Sequence, residues 1–335
     1  MNKHMTGIKQ EGFWARNRKS GGLLLRQEGK KKFGSILRFL MLFGLCFLIL
    51  QPVLDKISVS FMMEKDLYDT TIIVVPRNLT TENYTLAAYL LNLDTSLINT
   101  TIISLVTALL QITACTLAGY GFARFEFPLK RFWFACVVLV IVIPPQTISS
   151  SLYLHFRYFD ILGIFTKLYG APLNLKGSSL PYLMLSMTAM GLKNGLYIFM
   201  IRQYFRSIPY SLEEAAYVDG ASTLGTFFRV LLPQAVPILV SCFLFAFVWQ
   251  WTDVFYTRLF LPTANTQYLS IRLSGLAESL RTYVSTRLGI ATPSVGYTMQ
   301  MISTGVLIVV TPLLILYLFA QRFFIESITT TGLKD

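Results

Sequence analysis

Residues 214–233 read EAAYVDGASTLGTFFRVLLP. This is the one long run of mixed polar character between two strongly apolar segments, the first ending near Met200 and the second beginning near Pro233. Such a run is expected to be a loop held at a membrane surface. Its internal chemistry predicts more than a plain loop. Ser211-Leu212-Glu213-Glu214 fits a capping box, with Pro209 just upstream, so a helix is expected to start there. Leu212, Ala215, Ala216 and Val218 give that helix a mildly apolar face of small residues. Gly220 lets the backbone turn, because without a Cβ it takes a positive φ at little cost. Asp219 or Ser222 can cap a second helix, which runs through Phe227, Phe228, Val230 and Leu231 into Pro233. The expected product is a helix–turn–helix lying flat on the bilayer, with a face that another protein could grip. The plainer reading is an amphipathic connector between two membrane helices.

Composition sets the wider class. Of the 335 residues, 54% are hydrophobic and 14% charged, and the mean hydropathy is +0.56. Soluble domains carry about 25% charged residues, so this is a polytopic membrane protein. The net charge of +12 could suggest a nucleic-acid partner. Its placement excludes that, because much of it lies in the first 38 residues and in short loops, the positive-inside pattern. The four cysteines, Cys46, Cys115, Cys136 and Cys242, all fall in apolar segments and read as small buried hydrophobes. No disulfide framework or metal-ligand spacing is present, and His4 and His155 are the only histidines.

Residues 1–32 form a basic tail suited to a cytoplasmic surface with anionic lipid. Residues 33–54 are long and apolar enough for a first spanning helix, with Arg38 placed to snorkel. Residues 55–96 reverse the charge sign and read as external. Their two sequons, at Asn78 and Asn83, are chance matches in a bacterial-type protein. A permease core of five further spans is expected over residues 97–323, containing the loop 207–233, and a short inside tail over 324–335. Six spans in all put both ends in the cytoplasm. In the third span Pro144-Pro145 removes two backbone donors and must break the helix, and the break is expected to face the bundle interior or water. The fourth, near 180–201, holds Lys193 and Asn194 past its middle. These two either line a pathway or mark a structural break eased by Gly195. In the fifth, Trp249, Asp253 and Tyr256 stand at i, i+4 and i+7, with Trp251 between them, and are expected to share one helix face. Aromatic rings and a carboxylate suit a sugar, since the rings stack on its apolar faces. An interfacial aromatic belt fits equally well.

The pattern Glu214-Ala215-Ala216, three residues, Gly220, nine residues, Val230, one residue, Leu232-Pro233 resembles the EAA loop of permease subunits of binding-protein-dependent ABC importers. Every spacing fits, with Val230 where that family often has Ile. Further stretches resemble the maltose-type, multiple-sugar group, its smaller permease partner in particular. They are Leu97-Ile98-Asn99-Thr100, Tyr120 to Arg124, Ile143-Pro144-Pro145, Arg202 to Pro209, Trp251-Thr252-Asp253 and Gln321-Arg322-Phe323 with Thr331 to Lys334. The likeness covers roughly residues 75–335. It departs after Asp253, where relatives often carry Trp-Pro and this chain has Tyr256-Thr257-Arg258.

The resemblance implies an all-α type I importer permease fold with a cytoplasmic coupling helix. It implies a second permease subunit, two ATPase subunits that bind ATP and Mg, and an external substrate-binding protein, with no cofactor in this chain. The chain has no G-x-x-x-x-G-K-[ST] loop with which to hold ATP phosphates itself. Contact with the ATPase is then expected from Glu213, Glu214, Ala215, Ala216, Asp219, Gly220, Ala221, Leu232 and Pro233. Carbohydrate import is the implied function. An importer for an acidic sugar, a glycerol phosphodiester or an amino acid is the alternative. A membrane enzyme would need a catalytic constellation, and His155 stands alone with no paired carboxylates inside a span.

Overall fold

The computed structural model describes residues 23–69, 71, 75–261 and 267–332, with side chains from Gly29 to Phe323. The start of the basic tail, the final three residues and part of the last outer loop lie outside the described residues. The chain divides into two compact units, residues 1–58 and 59–335. Nearly all ordered structure is helical, and pairing between extended segments is limited, among the described residues, to isolated bridges at Met62–Leu79 and Phe159–Leu173.

Helix α1 covers Leu23–Ser60, so the apolar stretch at 33–54 lies within a longer helix. Then come α2 (Glu82–Leu91), α3 (Leu93–Arg124), α4 (Lys130–Val142) and α5 (Pro145–Arg157). Helices α6 (Ile164–Tyr169), α7 (Leu180–Met187) and α8 (Asn194–Ser207) follow. The loop region gives α9 (Ser211–Val218) and α10 (Thr223–Gln234). The chain ends with α11 (Val236–Trp251), α12 (Phe255–Phe260), α13 (Leu269–Ser274), α14 (Leu276–Arg287) and α15 (Val295–Gly332).

Among the described residues, three helical stretches are long and apolar enough to cross a membrane unbroken: Gly29–Ser60, Leu93–Arg124 and Val295–Phe323. The pair α4 and α5 is bent by 102° at Pro144, and the pair α10 and α11 by 73° at Ala235. Counting each bent pair as one span gives five. The remaining expected span, the fourth at 180–201, is divided into α7 and α8 by a turn at 188–193, so no single helix there reaches crossing length. Between α12 and α15 the described residues are built largely of α13 and α14.

Of the two surroundings expected for the Pro144-Pro145 break, the interior of this chain's bundle is not the one found: Pro144 is exposed and Pro145 half-buried. The carbonyl of Pro144 accepts bonds from the backbone N–H of Thr147 (3.1 Å) and from its hydroxyl (2.8 Å). These bonds close a local turn that starts the helix after the break. The sequon at Asn83 is buried, its amide donating to the carbonyls of Ser60 and Met62 at 2.9 Å, so it is engaged in packing.

Helix α3 is the packing centre of the second unit. It lies against α7, α8 and α11. Thr100, Ser104, Thr107, Ala108, Gln111, Cys115, Thr116 and Gly119 recur at helical spacing and are buried. In an apolar solvent, helices gain from close backbone approach, and small side chains permit it. Thr107 and Thr116 donate their hydroxyls to the carbonyls four residues back, both at 2.6 Å, which removes the cost of burying them. A Cβ at Gly119 would stand 2.9 Å from Ile201 Cγ2 and 3.2 Å from the Arg202 backbone nitrogen, so α3 and α8 touch there. Gly119→Val is expected to destabilise the protein by about 1–3 kcal/mol. Gly121→Val, whose Cβ would meet nothing within 4 Å, serves as the control. Thermal unfolding of the two purified variants checks this.

Candidate functional site

The loop folds as two short helices joined by a glycine turn. Helix α9 starts at Ser211, but the capping box does not form. Tyr210 occupies the cap position in a helical conformation, Ser211 therefore falls inside the first turn, and no side chain caps it. Gly220 has φ +82°, the left-handed conformation that glycine adopts at least cost. Ser222 caps α10, its Oγ accepting from the Gly225 N–H at 3.1 Å. A π-helical stretch, Phe227–Leu231, then carries α10 through Leu232 and Pro233 towards α11.

Two ties hold this loop to α3. The first is a buried ion pair, Arg124 Nε to Glu213 Oε1 at 2.5 Å, with side chains 3% and 7% exposed. The same guanidinium donates to the Ile208 carbonyl at 2.9 Å and lies 4.2 Å from the centre of the Tyr210 ring. Burial pushes the Glu213 carboxyl up, and Arg124 opposes that shift without overcoming it. The second tie is aromatic. Tyr120 sits 4.5 Å from Phe227 and 5.5 Å from Phe205, ring centre to ring centre, which joins α3, α8 and α10.

These ties sort the expected contact residues. Glu213 and Ala216 face inward and are buried. Glu214, Ala215, Asp219, Gly220 and Pro233 are exposed, while Ala221 and Leu232 are half-buried. Beside them stand exposed apolar side chains: Val218 at 87%, Leu224 at 70% and Phe228 at 58%. The inward turn of Glu213 was not visible in the sequence, because its partner lies 89 residues earlier in the chain. The basic residue closing the second span was the available signal.

The expected aromatic and polar site is not one face. Helix α11 ends at Trp251, and Thr252–Val254 interrupt it before α12, so Trp249, Asp253 and Tyr256 do not share a helix face. Trp251 is 2% exposed and donates Nε1–H to the Val309 carbonyl at 3.1 Å, pinning α11 to α15. Asp253 is buried and accepts from the N–H groups of Tyr256 (3.2 Å) and Thr257 (2.9 Å) and from the Thr257 hydroxyl (3.1 Å). It therefore secures the free donors at the start of α12. Tyr256 stacks on Phe260 at 5.6 Å in a second, smaller core. Trp249 remains 46% exposed, with the Lys193 ammonium 5.0 Å from its ring centre. Asp253→Ala is expected to lower stability by about 1–2 kcal/mol, and Asp253→Asn, which keeps an acceptor, by much less. Unfolding and uptake measured side by side check this, since a sugar-binding role would impair uptake in both without the stability difference.

Lys193 and Asn194 sit at the break between α7 and α8. Ala189 (φ 55°) and Lys193 (φ 61°) take the left-handed conformation there, and Gly195 does not. Gly195 serves a close approach instead, since a Cβ on it would stand 2.8 Å from the Val137 carbonyl. Gln111 of α3 reaches the break, its amide donating to the Leu192 carbonyl and the Asn194 side-chain oxygen. A helix interrupted among apolar neighbours thus finds polar partners inside the chain.

Comparison with known proteins places this geometry. Residues 111–329 match the family described as binding-protein-dependent transport system inner membrane component, and the chain belongs to that family. It is 25% identical over 311 residues to the arabinooligosaccharides transport system permease protein AraQ of Halalkalibacterium halodurans, covering 91% of this chain and 99% of that one. It is 29% identical over 229 residues to a probable ABC transporter permease protein of Pyrococcus horikoshii, covering 68% and 71%. Its fold is similar to that of a chain in the crystal structure of a bacterial ABC transporter that imports the acidic polysaccharide alginate. The TM-score is 0.63 at 19% identity, covering 88% of this chain and 98% of that one. The protein is therefore a multi-pass inner-membrane component of a binding-protein-dependent transport system.

Proposed function

We propose that this chain is one permease subunit of an ATP-driven importer of oligosaccharides. The observation that carries the reading is the two-helix loop, bound to α3 from within and exposing Val218, Leu224 and Phe228. An apolar patch beside exposed Glu214 and Asp219, outside the spanning segments, suits docking by another protein. That protein is an ATPase subunit, present in two copies, which holds ATP and Mg. Closure of the ATPase pair moves α9, the spans rock, and the pathway opens to the outside. A second permease subunit completes the pathway, and an external substrate-binding protein delivers the sugar. The carbohydrate assignment is supported by the name of the AraQ relative. Both termini lie in the cytoplasm, as the basic residues of the tail and short loops favour.

Reconstitution tests this. The chain, its partner permease and the ATPase in proteoliposomes, with binding protein outside, should take up labelled arabinooligosaccharides or another oligosaccharide only when ATP is inside. Uptake that persists without the ATPase, or no uptake from a broad oligosaccharide panel in an ATP-hydrolysing complex, would contradict it.

A further inference from the structure

We propose that the Arg124–Glu213 pair is the link through which movement of α9 is passed to α3. The proposal deepens the reading of the loop as the coupling element and rests on it. Arg124 is the last residue of α3, and its guanidinium holds the entry to α9 at three successive points: the Ile208 carbonyl, the Tyr210 ring and the Glu213 carboxylate. Both charged side chains are removed from solvent, so water cannot take over the interaction as it does for a surface pair. Helix α3 in turn packs on α7, α8 and α11, the touch at Gly119 lying only five residues before Arg124. A displacement of α9 therefore pulls on the end of the helix that organises the bundle. Of the two adjacent glutamates, Glu214 is free to face a partner and Glu213 works inside the subunit. Arg124 and Glu213 are positioning residues, since neither touches the sugar or nucleotide.

The test uses the full complex in nanodiscs, with spin-label amino acids at Ser211 on α9 and Leu117 on α3, both exposed. Distances are measured without nucleotide and with ATP and vanadate. In the otherwise unchanged protein the two helices should move together and keep one distance throughout. In Glu213→Gln the nucleotide-free distance should be unchanged, and a second distance should appear with ATP. ATP hydrolysis should continue there while uptake falls at least tenfold. Exchanging the charges, Arg124→Glu with Glu213→Arg, should restore the single distance and at least half of the uptake. A single distance in Glu213→Gln under ATP, or a separation that already changes in the unaltered protein, would overturn the link. Failure of the underlying coupling reading shows differently, as loss of contact between the α9–α10 surface and the ATPase in the unaltered complex.

Discussion

Arg124→Met is expected to lower the stability of the folded protein by about 3–5 kcal/mol, because it leaves the Glu213 carboxylate buried without its counter-charge. Removing both charges behaves differently. Arg124→Met with Glu213→Leu should cost about 1 kcal/mol, chiefly from the lost bond to the Ile208 carbonyl. The distinction is physical. Two charges taken out of water repay most of their desolvation only through each other, so the half-broken pair is worse than none. Denaturant unfolding in detergent of the two variants gives the comparison. Equal losses in both would mean that Arg124 acts through packing rather than through charge.

Val218→Asp should sharply lower ATP-driven uptake with no change in stability. The side chain is 87% exposed at the end of α9, so little in this chain depends on it. In an interface, burying a valine contributes about 1.5–3 kcal/mol. At about 1.4 kcal/mol per tenfold, losing it weakens docking by roughly ten- to hundredfold, and a desolvated carboxylate adds to that. Uptake should fall at least tenfold, and less ATPase should copurify. The conservative Val218→Ile should behave as the unaltered protein.

The loop was largely legible in the sequence because its determinants are local. Gly220 needed only its missing Cβ to mark the turn, and Ser222 only its hydroxyl to cap the helix that follows. The capping box misled because Tyr210 entered the helix one residue early, moving Ser211 out of the cap position. The site around Trp249 misled for a related reason. Helical spacing from Trp249 to Tyr256 assumes an unbroken helix, whereas Asp253 ends one helix and secures the next, a role its type favours. A break near Lys193 and Asn194 is one of two readings of the sequence, with Gly195 expected to ease it, yet Ala189 and Lys193 carry the positive φ angles, and Gln111, which bonds Leu192 and Asn194 there, comes from a distant part of the chain that no local pattern displays. Glu213 shows the same limit most sharply, its meaning fixed by an arginine at the far end of another helix.

Site-specific photo-cross-linking from position 224 in the assembled transporter tests the central claim most directly. Leu224 projects from the start of α10 and is 70% exposed. A photoreactive residue there should join the ATPase subunit, with a yield that changes between the nucleotide-free and ATP-bound complex. Adducts with lipid alone, or with the external binding protein, would contradict the assignment of this loop as the surface that the ATPase drives.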